Sequence, residues 1–212
     1  DVAQTERGPV YSTGFTTYRT ESAKAHAAAD TRLGVIEGTL YGNTVDGRVF
    51  TQTSVTPYLV FDSDVTEAQL QSLSKIGTAH TLRLSGEYRE SVMATTPFPS
   101  GEVSYNMASL GAMWELRVAA AVTLTNAVRV DDLDLGRSGA VPPGYPLANT
   151  DWDREKVVTS YNSGLVWQVD DVNTLRITAG RGRQLPSLCN LGGLLSPAPG
   201  GFVTGVPTLE PS

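Results

Sequence analysis

The sequence has a single cysteine, Cys189, and two histidines, His26 and His80, in 212 residues. That inventory builds neither a disulfide framework nor a Cys/His zinc site within one chain. Basic charge is scarce as well: 16 Lys and Arg stand against 22 Asp and Glu, a formal net charge of -6. Nucleic acid needs a basic face to neutralise its phosphates, so that class of partner is excluded. No apolar run reaches the roughly 18 residues that a membrane-spanning helix needs. The opening residues, Asp1 to Arg7, lack the apolar core of a signal peptide, which fits a mature, a truncated or a cytosolic chain. Hydrophobic residues make up 40%, lean for a globule of this size. Two designs give that composition: a polar soluble β-protein, or a wall whose second face meets water.

What the chain does have is alternation with the two-residue period of a strand. From His80 to Glu90, Leu82, Leu84, Gly86 and Tyr88 share one face, and Thr81, Arg83, Ser85, Glu87 and Arg89 the other. Ser104–Arg117 aligns Leu110, Ala112, Trp114 and Leu116. Ala121–Asp131 then sets Val122, Leu124, Val128 and Val130 against Thr123, Thr125 and Arg129. In Val157–Val169, Tyr161, Leu165, Trp167 and Val169 oppose Ser160, Asn162 and Gln168. Asp170-Asp171-Val172-Asn173 supplies a tight turn, after which Leu175, Ile177 and Ala179 oppose Thr174, Arg176 and Thr178.

Connections alternate too. Val118-Ala119-Ala120 is short, whereas Ser91–Glu102 and Leu133–Glu155 are long and rich in Pro, Gly and Asp. Outer-membrane barrels have short turns at the periplasmic end and long loops outside, and a tilted strand crosses the bilayer in about 9–11 residues. A soluble sandwich shows the same alternation with its apolar face hidden. Strand length, the loop asymmetry and aromatics near strand ends (Tyr88, Tyr105, Trp114, Trp152) favour the membrane.

The first 79 residues alternate less cleanly. Val10–Arg19, Arg32–Gly42 and Val49–Val60 read as strands, the last weakened by Pro57, and Asp64–Leu73 reads as a short helix with Thr66 and Gln69 in a capping-box pattern. About seven or eight strands fit in the chain.

Catalytic and metal chemistry find little support. Gly180-Arg181-Gly182 evokes a phosphate-binding turn but lies inside a strand pattern with no helix after it. No G-x-S-x-G elbow accompanies His80. Asp131, Asp132 and Asp134, or Asp151 with Asp153, could approach calcium, but a solvated acidic loop accounts for them. Cys189 reads as an isolated loop thiol. No catalytic residue, metal ligand or cofactor is assigned.

The C-terminal half resembles the barrel of TonB-dependent receptors. Met113-Trp114-Glu115-Leu116-Arg117, then Val122-Thr123-Leu124-Thr125 and Val128-Arg129-Val130-Asp131, resembles that family's recurrent hairpin, with Ala127 where glycine is usual. Gly164-Leu165-Val166-Trp167 and Thr174 to Leu188 are similar to its "T-x-L-R-x-x-x-G-x-G-x-R-x-P-S-L" run. Pro207-Thr208-Leu209-Glu210-Pro211 resembles the segment that usually follows. The glycines of that run let a tilted strand bend, and Pro186 ends the ladder for want of an N–H.

This resemblance covers residues 80–212 well and implies an all-β fold of antiparallel up-and-down strands, part of a large transmembrane β-barrel in the Gram-negative outer membrane. It implies 22 strands around a plug domain, with lipid as one partner and the TonB energy-transducing complex as another, reached through a plug not recognisable here. The chain ends on a loop-like segment rather than a terminal aromatic strand, so it is expected to be a fragment. Arg83, Glu87, Arg129 and Arg176 share the polar parity and are expected to line the lumen. The expected role is uptake of a scarce nutrient: a ferric chelate, cobalamin or a glycan. Other readings are a small complete outer-membrane barrel with a structural or adhesive role, and a soluble β-sandwich binding module.

Overall fold

A computed structural model describes residues 2–7, 15–32, 34–50, 58–94, 101–141, 143–198 and 201–211, with side chains described at 17–32, 34–47, 62–94, 101–141, 143–193 and 204–211. Nine strands follow one another: β1 (Val2–Arg7), β2 (Phe15–Thr31), β3 (Gly34–Phe50), β4 (Tyr58–Ile76), β5 (His80–Ala94), β6 (Gly101–Ala119), β7 (Val122–Gly139), β8 (Arg154–Gln168) and β9 (Thr174–Arg181). Each pairs antiparallel with the next, giving one up-and-down sheet in sequence order. Among the described residues β1 and β9 do not pair with each other, so the sheet is open.

Register decides what each face carries. Leu84 lies opposite Ala112, Ala112 opposite Val128, and Val128 opposite Tyr161. Leu124 lies opposite Leu165, and Leu165 opposite Ile177. One face is therefore apolar from Ala25, Leu40 and Ala68 across to Ile177. More large apolar side chains are exposed than buried, Leu110 at 73% and Val157 at 64% among them. Water would penalise so large a contiguous patch. On β8 the stripe from Trp167 to Val157 covers about 34 Å of strand at about 3.4 Å per residue. A tilt of about 40° turns that into about 26 Å, close to the apolar height of outer-membrane barrels. Beyond it the same face turns acidic, at Asp64, Glu90, Asp132 and Glu155.

The strands outrun their expected bounds. Asp64–Leu73 is not a helix but lies within β4, paired on both sides by β3 and β5. Its alternate residues Glu67, Gln69 and Gln71 share the polar face, while Ala68 and Leu70 share the apolar one. The strand expected at Val10–Arg19 begins at Phe15 and continues through the alanine-rich stretch to Thr31; residues 10–14 lie outside the described residues. The strand expected at Arg32–Gly42 is β3, starting at Gly34 and reaching Phe50. Of the strand expected at Val49–Val60, 49–50 end β3 and 58–60 begin β4, and 51–57, Pro57 included, lie outside the described residues. Gly34 opens β3 at φ +114°, where a Cβ would run into the Leu73 carbonyl. Of the connection expected at Ser91–Glu102, 91–94 belong to β5 and 101–102 to β6, and 95–100 lie outside the described residues. Leu133–Gly139 belongs to β7, so the next connection is 140–153.

Short turns gather at one end of the sheet. In the β8–β9 turn the Asp170 carboxylate accepts from the Asn173 side chain, at 2.7 Å to Oδ2 and 2.9 Å to Oδ1. It also accepts from the backbone N–H groups of Val172 and Asn173. These bonds, the side-chain one foremost, hold its pKa below the ordinary aspartate value.

The long connections at the other end fold onto the polar face. The 140–153 connection carries a 3-10 turn at Asn149–Trp152. After β9 the chain forms α1 (Leu188–Gly192) and the ribbon β10 (Leu194–Ala198) with β11 (Gly201–Thr204). Ser187 caps α1 by accepting from the Asn190 N–H at 3.2 Å. β9 ends at Arg181, well before Pro186. The buried cluster Val103, Leu133, Leu135, Trp152, Leu188 and Leu191 joins both connections to β6 and β7. Trp152 donates from Nε1 to the Leu191 carbonyl at 2.9 Å, lies under the Arg137 guanidinium at 5.4 Å and stacks on Tyr145. Gly192 sits so close to Val103 that a Cβ there would overlap the valine. Tyr105 and Trp152, grouped by sequence with strand-end aromatics, belong to this polar-face packing instead.

Trp152→Ala should remove about 3–5 kcal/mol of local stability. Limited proteolysis should then cut 182–211 sooner while the strand ladder stays protected; unchanged cleavage of that segment would contradict this packing.

Candidate functional site

Four adjacent strands, β4 to β7, bring a line of charges together on the polar face. Glu67 is held by Arg89, whose Nε donates at 2.8 Å and whose Nη2 donates to the same oxygen. Arg89 Nη2 also lies 3.2 Å from Glu87 Oε1. Arg129 Nη2 donates to Glu87 Oε2 at 3.0 Å and to Ser109 Oγ at 2.9 Å, and Arg129 Nε donates to Asp131 Oδ1 at 2.6 Å. Ser109 in turn donates to Asp131 at 2.6 Å. The order Glu67, Arg89, Glu87, Arg129, Asp131 alternates in sign across the wall.

The chain folds this way because arginine and carboxylate positions fall on the same parity and the register sets them side by side. Glu67 lies opposite Arg89, and Ser109 opposite both Glu87 and Asp131. Asp131 and Ser109 are buried, 7% and 3% exposed. Ion pairing and hydrogen bonds offset the desolvation of such charges only while every partner stays. Glu87 Oε1 is the weak point: it is buried, and its approach to Arg89 lacks the alignment of a hydrogen bond, so among the described residues it has no hydrogen-bond partner.

Above the ladder the folded-in 182–211 segment and the wall form a cleft. Arg183 donates from Nη1 to the Pro211 carbonyl at 2.9 Å, and Lys156 binds the Leu209 carbonyl and pairs with Glu210 at 3.3 Å. These contacts pin 182–211 back toward β8. The arrangement sets fixed donors and acceptors side by side, which can bind and orient a solute.

Of the four residues singled out by sequence, all lie on this one face, but only Glu87 and Arg129 meet. Arg83 and Arg176 stand exposed on the same face, outside the ladder. The four do not include Glu67, Arg89, Ser109 and Asp131, although Arg89 shares the polar parity of β5. Asp131 was grouped with Asp132 and Asp134 as a loop acid, yet parity alone separates it: Asp132 and Asp134 stand on the opposite, apolar-face side, exposed. Glu67 was hidden by the helical reading of its segment.

A double-mutant cycle on Glu87→Gln and Arg129→Met should show coupling of about 1 kcal/mol, below that of a fully buried pair, because Arg129 is 41% exposed. Denaturant titration of the detergent-solubilised receptor reads it; additive effects would mean the two side chains act independently.

No curated protein and no solved structure gives a significant match to this chain. A model of the TonB-dependent receptor-like β-barrel family matches residues 3–212. With a two-faced sheet of antiparallel strands from Val2 to Arg181, the chain belongs to the TonB-dependent receptor β-barrel family.

Proposed function

We propose that this chain is part of the barrel wall of an outer-membrane receptor that imports a scarce nutrient, a ferric chelate, cobalamin or a glycan. Members of this family are outer-membrane transport receptors rather than enzymes. In the proposed arrangement the apolar face meets lipid and the polar face lines the lumen, where Arg83, Glu87, Arg129 and Arg176 face the transit path or a plug. The observation that carries this reading is the two-sidedness of the sheet: exposed Leu110, Leu70 and Val157 on one side, the charged ladder on the other.

Several features support further strands in a parent barrel. Among the described residues each edge strand, β1 and β9, has one partner only, and an unpaired ladder edge in hydrocarbon is costly. A donor from a plug segment outside this chain would complete the bonding of Glu87 Oε1. The long connections folded onto the polar face narrow the outer mouth, and a captured solute would pass when the TonB complex, acting through the plug, rearranges that interior.

Arginine at Leu84 or Ile177 should destabilise the membrane-inserted receptor by about 2–4 kcal/mol, and Thr178→Arg, on the polar face, far less. For function, solute binding to whole cells should persist when the inner-membrane proton gradient is collapsed, while import stops. Import that survives uncoupling would contradict the energised mechanism.

A further inference from the structure

The cleft between the ladder and the folded-in connection has a volume of about 760 Å³, inside the roughly 300–1,000 Å³ range of small-ligand sites. Its wall side is formed by Arg89, Tyr105, Arg129 and Asp131, and its outer side by Gln184 and Asn190 among others. On the proposed reading that this wall lines an import path, we propose that the cleft binds a neutral oligosaccharide.

Charge balance argues first. Arg89 and Arg129 face the cleft already shared among Glu67, Glu87 and Asp131. At the far rim Glu210 pairs with Lys156, and Arg183, which also lines the cleft, is tied through Nη1 to the neutral Pro211 carbonyl. An anionic chelate would have to draw these guanidinium groups away from carboxylates that are largely buried, leaving those charges uncompensated.

Hydrogen-bonding chemistry argues second. A sugar hydroxyl both donates and accepts, so it is best met by donors and acceptors set close together in fixed positions. The cleft offers that alternation: guanidinium donors beside the Asp131 carboxylate, with the Gln184 and Asn190 amides opposite. Ion pairing holds the guanidinium planes in place before any ligand arrives, which lowers the ordering cost of binding. The cleft also carries flat apolar surface. Tyr105 and Pro186 both line it. A pyranose ring has one face of C–H groups and a rim of hydroxyls, and an aromatic ring with a polar tip suits both.

Titration calorimetry on the full-length receptor in detergent tests this, with neutral hexasaccharides of glucose, xylose and mannose and with ferric citrate as the anionic alternative. At least one hexasaccharide should bind and ferric citrate should not. Tyr105→Ala and Gln184→Ala should each weaken that binding by about tenfold or more, in variants that keep the heat-modifiable gel mobility of a folded barrel. Tyr105→Phe, which keeps the ring, should retain most of it. Gln184 is exposed on a connection, so its substitution keeps the test open if Tyr105→Ala fails to fold. No hexasaccharide binding, or binding that both alanine variants leave unchanged, overturns the proposal. Energy-dependent import of ferric citrate with no saccharide binding overturns the saccharide assignment and leaves the import reading standing; energy-independent import of a bound hexasaccharide does the reverse.

Discussion

A strand inside hydrocarbon has no water to bond its backbone, so each N–H and C=O must find a partner on a neighbouring strand. Everything else in this chain follows from that constraint. The continuous antiparallel ladder from β2 to β9 meets it without using any side chain. Side chains are thereby free to serve two solvents at once, since neighbours along a strand point to opposite faces. Leucine and valine need no dry core of their own here, and the small buried cluster confirms it: it sits at the rim, around Trp152 and Leu133, not between stacked sheets.

The charged ladder exists on the same terms. Five charges in a row on three strands, bridged across β6 by Ser109, would repel or desolvate one another badly in an ordinary core. Register makes them alternate in sign, so each guanidinium serves two carboxylates and each strand is tied to its neighbours on the polar side. At the rim, the Trp152 indole bonded to the Leu191 carbonyl does the equivalent work for the two connections, joining segments about 40 residues apart in sequence.

How much of this the sequence showed depended on how each strand signals itself. β5 to β9 are legible because their apolar-face residues are large (Leu84, Trp114, Leu124, Ile177) and their polar-face residues are charged or hydroxylic. β4 was misread because Glu67, Ala68, Gln69, Leu70 and Gln71 are good helix formers whose alternation is quiet; pairing on both sides overrides that preference. β2 hides for the same reason, since alanines at 23, 25, 27 and 29 form its apolar stripe. Even so, Arg83, Glu87, Arg129 and Arg176 could be assigned to one face from parity alone. Which of them touch could not, because pairing across strands depends on register, and register depends on turns whose lengths were not all visible. The folding of 140–153 and 182–211 onto the polar face had no local signal: Trp152, Leu188 and Leu191 only become a core once the strands bring Val103 and Leu133 beneath them.

The most direct test is a nitroxide scan of β8, from Val157 to Trp167, in the full receptor reconstituted in bilayers with Cys189 replaced by serine. Oxygen dissolved in the lipid should relax labels at 157, 161, 165 and 167, and a water-soluble nickel chelate should relax those at 160, 162 and 166, whereas 158, buried under the folded-in connection, should be reached by neither. Labels at 161, 165 and 167 shielded from both agents would place them between stacked protein layers, and the two-solvent account would fail.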